Sequence, residues 1–273
     1  MQEEAPSSPL GRATVAAMTA AFRACELEAQ RLAADGADVP VGPFVAACGS
    51  TVDLYAHVFS PGSFIARVLG RTTTRHMACV TAAAAALAAH DAPAGGAAPN
   101  APPPPPTPPA PAPAPSLRLR TLLVRERDAR GADAVRWDRT SACHTAMWLS
   151  RGLYFCQSFM DLLANGSGGG SGGDSGAALL GPRACASMAY DRALRPYHGL
   201  LLSTVFRAAL SYAPAERVDL FRAFGYDDMR EGEARVRECV DALRPVTRRV
   251  HRLVVDEGLD FQDVATPMRG ALR

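Results

Sequence analysis

The sequence predicts an all-α protein, and three observations carry that expectation. Apolar residues recur at helical spacing through several long segments. No convincing alternation of apolar and polar residues marks a strand anywhere in the 273 residues. One segment, Thr145–Leu163, carries two adjacent apolar stripes, and such a double-width face suits a helix buried between two layers.

Taken in order, Thr14–Ala34 is rich in Ala, Leu and Glu and should stop before Asp35-Gly36. Pro43 suits the first turn of a second helix, along which Phe44, Cys48, Val52, Tyr55 and Phe59 recur. Ser60-Pro61-Gly62-Ser63 reads as a turn, with Ser63 as N-cap of a third helix reaching about His90. On that helix Phe64, Ile65, Val68, Leu69, Thr72 and Cys79 share a face, with Arg75 beside it. Leu117–Ala129 is a short charged helix with Leu119, Leu122 and Leu123 on one side. In Thr145–Leu163, Leu149, Leu153, Cys156, Met160 and Leu163 form one stripe, and Trp148, Phe155, Phe159 and Leu162 the other. Ser150, Arg151, Tyr154, Gln157, Ser158 and Asp161 are expected on the opposite face. Arg183–Tyr212 is helical, with Leu194, His198, Leu201, Val205 and Ala209 in register and Pro196 positioned to kink or divide it. Ala215–Phe224 and Glu231–Asp256 complete the helices, and 257–273 reads as an irregular tail.

Two segments cannot belong to a core. Ala92–Pro115 is almost entirely Ala, Pro and Gly, with five consecutive prolines, Pro102 to Pro106, and favours polyproline II. It would suit an SH3- or WW-type partner. Asn165–Gly176 reads as a Gly/Ser linker. The remainder suffices for one domain over 14–256.

Composition excludes several classes. A net charge of +2 is too small for a nucleic-acid surface. All 29 basic residues are arginine, which GC-rich codon usage explains; every cation is thus a planar fork suited to carboxylate or phosphate. Seven cysteines without a CxxC pair argue against a metal site and suit a reducing compartment. Met1-Gln2-Glu3-Glu4 opens no signal peptide, and Ala78–Ala89 is too short to span a bilayer. A cytoplasmic location follows as the expectation, with no cofactor and no metal.

Some formal motifs carry nothing. Gly168-x-Gly170-x-x-Gly173 and Gly169-x-Ser171-x-Gly173 match dinucleotide and nucleophile-elbow patterns, but neither follows a strand. Without a secretory signal, the Asn165-Gly166-Ser167 sequon stays unused. Cys143 and His144 are neighbours on a helix and point about 100° apart, which excludes a thiol–imidazole pair.

Trp148 and His198 set polar ring atoms within apolar stripes, where a satisfied core residue is the ordinary explanation. Their surroundings point elsewhere. The run Trp148 to Phe155 (Trp-Leu-x-Arg-Gly-Leu-x-Phe) and the run Ala189 to Gly199 (Ala-Tyr-x3-Leu-x2-Tyr-His-Gly), with Phe206 and Ala213-Pro214 following, resemble the glycolipid transfer protein family. The resemblance covers about 43–224 and is specific in its second half. It implies a two-layer helical sandwich of roughly eight helices, interrupted by the two low-complexity inserts. One sphingolipid would have its chains between the layers and its head group in a surface cleft.

On that resemblance Trp148 is the platform under the head group, and His198 hydrogen-bonds the ceramide amide. Leu194, Phe206 and Phe155 would line the chain pocket. The family's Asp on the third helix falls at Val68, with Thr72 and Arg75 at the following polar positions; the spacing survives and the acid does not. Trp148 favours a glycosphingolipid, while Arg71, Arg75 and Arg151 would accommodate a ceramide-1-phosphate-type head. The expected function is non-enzymatic binding and intermembrane transfer of a sphingolipid, with transient membrane contact. The alternative is a lipid sensor or interaction module on the same fold.

Overall fold

The computed structural model describes residues 9–32, 38–59, 63–92, 117–165 and 180–261. The two low-complexity inserts, the Asp35-Gly36 stop and the tail beyond Phe261 lie outside the described residues, apart from a few flanking positions. Ten α-helices and one 3₁₀ turn form, and no strand occurs among these residues. They are α1 (Pro9–Leu32), α2 (Val41–Val58), α3 (Phe64–Asp91), α4 (Leu119–Arg130), α5 (Ala132–Trp137), α6 (Ala142–Asn165), α7 (Pro182–Ala193), α8 (Leu200–Leu210), α9 (Arg217–Ala223) and α10 (Met229–Asp256). The 3₁₀ turn is Arg195–Tyr197.

Two helices beyond the eight segments read from periodicity have physical causes. Pro196 divides Arg183–Tyr212 rather than kinking it, because proline cannot donate to the helical ladder. The six-residue α5 is too short to show a period at all. Other boundaries follow local chemistry: the Ser63 side chain accepts from Ala66 N at 3.2 Å to start α3, and Asp228 accepts from Arg230 N at 2.8 Å to start α10.

The helices form a two-layer α sandwich. α1 packs on α2 and α10, α2 on α3, and α6 touches α3, α7 and α10. An isolated antiparallel bridge, Pro40 with Arg118, ties the entries of α2 and α4 together. Buried Asp38 accepts from Arg120 N at 3.0 Å beside it.

α6 is buried more completely than its two stripes imply: 18 of its 24 residues are inaccessible, so it has neighbours nearly all round. Ser150, Arg151 and Ser158, expected on an outer face, are buried; Tyr154 alone of that set is strongly exposed. Both ends are held by side chains. Ser141 Oγ accepts from His144 N at 3.1 Å, and Glu126 accepts from Cys143 N at 2.9 Å. At the other end, Arg217 donates to Leu163 O at 2.7 Å and Arg237 to Ala164 O at 3.3 Å, meeting carbonyls that helix geometry leaves unpaired. Arg217 also pairs with Glu233 of α10 at 2.7 Å. α10 buries Val236, Val240, Leu243, Val250 and Leu253 at helical spacing, and Arg249 grips Glu26 of α1 through two bonds of 2.9 and 2.8 Å.

α9 sits closely on α10 at Gly232. A methyl group there would meet the fully buried Phe221 ring at 2.5–3.1 Å. Gly232→Ala is therefore expected to destabilise by about 1–3 kcal/mol, the usual cost of overpacking. Urea denaturation checks this, and an unchanged midpoint would show that Phe221 can move aside freely.

Candidate functional site

The break at Pro196 does more than end α7. It leaves His198 in extended conformation (φ −101°, ψ 129°), between the 3₁₀ turn and α8. The helical stripe that joined His198 to Leu201 and Val205 therefore does not exist. Both of those residues are exposed, and the imidazole instead packs inward between Trp148 and Tyr190.

Trp148, half-buried on α6, stacks on His198 with ring centroids 5.8 Å apart and planes inclined 26°. Tyr190 of α7 meets His198 Nδ1 through its hydroxyl at 3.1 Å and stacks on Phe206 at 5.1 Å. With Nδ1 engaged, Nε2 is the ring nitrogen left for another partner.

Trp148, His198 and Phe206 line a cavity of about 600 Å³, within the roughly 300–1,000 Å³ typical of ligand pockets. All eight residues singled out from the sequence line it: Val68, Thr72, Arg75, Trp148, Phe155, Leu194, His198 and Phe206. Three helices supply most of the lining. α2 contributes Cys48, Thr51 and Tyr55; α3 contributes Leu69, Thr73 and His76; α6 contributes Leu149, Gly152 and Leu153. Phe64, expected to share the inner face of α3, points outward and is exposed.

Sequence reading missed one side of the site. Arg136, Trp137, Arg139 and His144 also line the cavity. Trp137 stands at the rim, 59% exposed, with the Arg136 guanidinium 4.8 Å from its ring centroid. His144 turns inward while Cys143 faces Leu123 O at 3.2 Å, so the two side chains diverge as helix geometry requires. The available signal was the cluster of Arg and Trp just before α6. Without a periodic helix around it, that cluster had no assigned direction.

Charge here is one-sided. Arg75, Arg136 and Arg139 line the cavity with three histidines, and no described aspartate or glutamate does. Arg151 differs from expectation: it lies behind Trp148 and Tyr197 and pairs with Asp260 at 3.0 Å, while Arg71 does not reach the lining. Burial holds His198 down to about 4, helped by the Arg151 cation. Burial likewise lowers His76 to about 4, reinforced by His144 and Arg75. Both imidazoles are therefore neutral at pH 7. The seven cysteines are free; burial pushes Cys25, Cys156 and Cys239 up to about 12, so none of these is a thiolate nucleophile. No group of three or more His, Cys, Asp or Glu among the described residues could hold a metal.

The two depressed histidines fix the sign of a pH dependence. Below the ordinary value of 6.5 the unfolded chain takes up protons, whereas the folded imidazoles wait until about 4. Stability should thus fall as pH drops from about 6.5 to about 4 and level off below. Thermal melts across that range, with His198→Leu flattening part of the slope, check it. An NMR midpoint for His198 near 6.5 would contradict the burial argument.

The family model described as Glycolipid transfer protein (GLTP) matches residues 110–226. The glycolipid transfer protein of Danio rerio is 32% identical over 126 residues, 46% of this chain and 54% of that protein. Glycolipid transfer protein A of Xenopus laevis is 29% identical over 126 residues, with the same coverage of 46% and 54%. The chain thus spans about half the length of the curated relatives it matches. Among solved structures, that of FAPP2, which selects simple glycosphingolipids using the GLTP fold, superposes with a TM-score of 0.63 at 19% identity, covering 92% of this chain and 99% of that one. Human ceramide-1-phosphate transfer protein in complex with 12:0 ceramide-1-phosphate gives 0.58 at 15% identity, covering 90% and 97%. Over 110–226 the sequence is similar to the glycolipid transfer protein family, and over nine-tenths of its length the chain has the fold of these structures.

Proposed function

We propose that residues 14–256 form one carrier that binds a single sphingolipid, prefers an anionic head group, and moves it between membranes without chemical change. The carrying observation is the cavity itself, which joins apolar residues to a cationic rim that no described carboxylate lines. Two relatives support the two halves of the reading: FAPP2 selects simple glycosphingolipids, and the ceramide-1-phosphate transfer protein holds a phosphorylated ceramide.

In this reading Trp148 supports the head group, and His198, neutral and with Nδ1 occupied by Tyr190, offers Nε2 to the ceramide amide. Leu194, Phe206 and Phe155 receive the chains. Baring about 30 chain methylenes to water would cost roughly 24 kcal/mol at ~0.8 kcal/mol each, so transport through an aqueous phase requires such a sleeve. At the head group, Val68 accepts no hydrogen bond, and Arg75, Thr72 and Arg139 favour phosphate, which guanidinium can bind bidentately. Membrane contact falls to the mouth, where Leu200 and Leu201 are 92% and 81% exposed and Leu202 lines the cavity beside them. No helix among the described residues is long and apolar enough to cross a bilayer. An aqueous, cytoplasmic setting fits this carrier, and Ala92–Pro115 is the segment we propose for an SH3- or WW-type partner.

A second reading, a sensor that binds lipid without transferring it, draws on Val68 in the acid's place. Vesicle-to-vesicle transfer separates the two. The native protein is expected to transfer ceramide-1-phosphate faster than a simple neutral glycosphingolipid, and mass spectrometry of co-purified lipid should find an anionic sphingolipid. Arg75→Ala should weaken phosphorylated ceramide about tenfold, the equivalent of one charge-assisted bond at an exposed rim. Val68→Asp should improve neutral glycolipid transfer and impair the phosphorylated lipid. Equal transfer of both lipids by all three proteins would overturn the anionic assignment; binding without transfer would favour the sensor.

Leu200→Ser with Leu201→Ser should slow transfer between vesicles while leaving affinity for a short-chain ceramide-1-phosphate in solution unchanged. Loss of solution affinity would show that these leucines shape the pocket instead of meeting the bilayer.

A further inference from the structure

The segment that leaves α10 turns back toward the polar wall of the cavity. Gly258 takes φ +67°, a left-handed conformation that glycine adopts without strain, and Leu259 N then donates to Val254 O at 2.8 Å. Leu259 and Phe261 are buried, so the start of the expected irregular tail is docked. Arginines hold it at three points. Arg127 donates to Glu257 O at 2.8 Å and to its carboxylate at 3.2 Å. Arg151 Nη2 donates to Asp260 Oδ1 at 3.0 Å and to Phe261 O. Arg136 lies 5.8 Å from the Phe261 centroid, on the guanidinium that also meets Trp137.

The middle attachment bears on the head-group site. The Arg151 guanidinium lies 3.5 Å from the Tyr197 ring centroid and 4.9 Å from that of Trp148, both of which line the cavity. Its side chain is only 6% exposed, so its charge acts through a poorly screened region. Asp260, at 36% exposure, reaches it from the solvent side. The carboxylate therefore cancels a cation standing directly behind the Trp148 platform.

We infer that Asp260 is a specificity-determining positioning residue: by pairing with Arg151 it keeps that cation from acting on the bound head group, and so limits the preference for anionic over neutral lipid. The inference rests on the sphingolipid reading above for its ligand, and on the Arg151 geometry alone for its electrostatics. Asp260→Asn keeps the shape and an acceptor oxygen but removes the charge. Arg151 would then add its field to those of Arg75, Arg136 and Arg139.

The test measures two quantities on native and Asp260→Asn proteins whose urea midpoints are recorded alongside. The first is the ratio of affinities for short-chain ceramide-1-phosphate and ceramide of the same chain, read by tryptophan emission. The ratio should rise about fivefold in favour of the phosphate, the effect of one uncancelled charge at partly screened range. A purely structural role would change both affinities together and leave the ratio still, which would overturn the proposal. Asp260→Glu should restore the native ratio, and a ratio that stays raised counts against it. The second quantity is the NMR midpoint of His198, which needs no lipid. It should move below the native value in Asp260→Asn, because Arg151 already disfavours the imidazolium. An unmoved midpoint overturns the proposal even where neither lipid binds; absence of binding to the native protein would itself overturn only the lipid reading.

Discussion

A helix buried nearly all round cannot leave its terminal backbone groups to water, and α6 meets that constraint with polar and charged side chains at both ends. Glu126 and Ser141 take N–H groups at one end, while Arg217 and Arg237 donate to Leu163 O and Ala164 O at the other. Arg217 is itself tied to Glu233, so α6, α9 and α10 share one polar joint. These bonds fix the rotation of the helix about its axis, and Trp148, Leu149, Gly152, Leu153 and Phe155 all turn toward the same space. The cavity wall is thus a consequence of how α6 is capped.

The electrostatics of that space follow from arginine. Guanidinium can sit over an aromatic ring while donating at its edge, as Arg151 does over Tyr197 with Asp260, and Arg136 likewise sits over Trp137. An ammonium could not make both contacts in one plane. The chain holds its rings in place with cations, and the same cations charge the cavity. Burial keeps His76 and His198 neutral beside them, so these histidines act as hydrogen-bonding groups at pH 7 without adding positive charge.

Much of this was legible in the sequence, and the reasons differ by element. The α3 start was readable because Ser63 caps locally, and α6 because its apolar stripes run for five turns. Of the eight residues taken from stripes and from the family resemblance, six lie on helices whose inward direction periodicity fixes, while Leu194 and His198 reach the same cavity from the turn between α7 and α8. What escaped depends on distant partners. Arg151 looks solvent-facing until Asp260, 109 residues away, is brought beside it. His198 looks helical until Pro196 removes the ladder, and Trp137 has no orientation until the short α5 exists. Periodicity reports which side of a helix faces inward; it is silent on what comes to meet the other side.

A wall anchored at both ends has one further consequence. Core cavities are ordinarily relieved by partial collapse, and the bonds at both ends of α6 oppose its shift into the space of about 600 Å³ beside it. An occupant of the cavity would cover its apolar lining and meet its cationic groups, and would so become part of the fold's own cohesion. By mass action, each tenfold excess of occupant over its dissociation constant adds about 1.4 kcal/mol to the folded state. Cellular unfolding and degradation sense differences of that size. The amount of this protein would then follow the supply of whatever fills the cavity, because occupancy sets how often the fold opens.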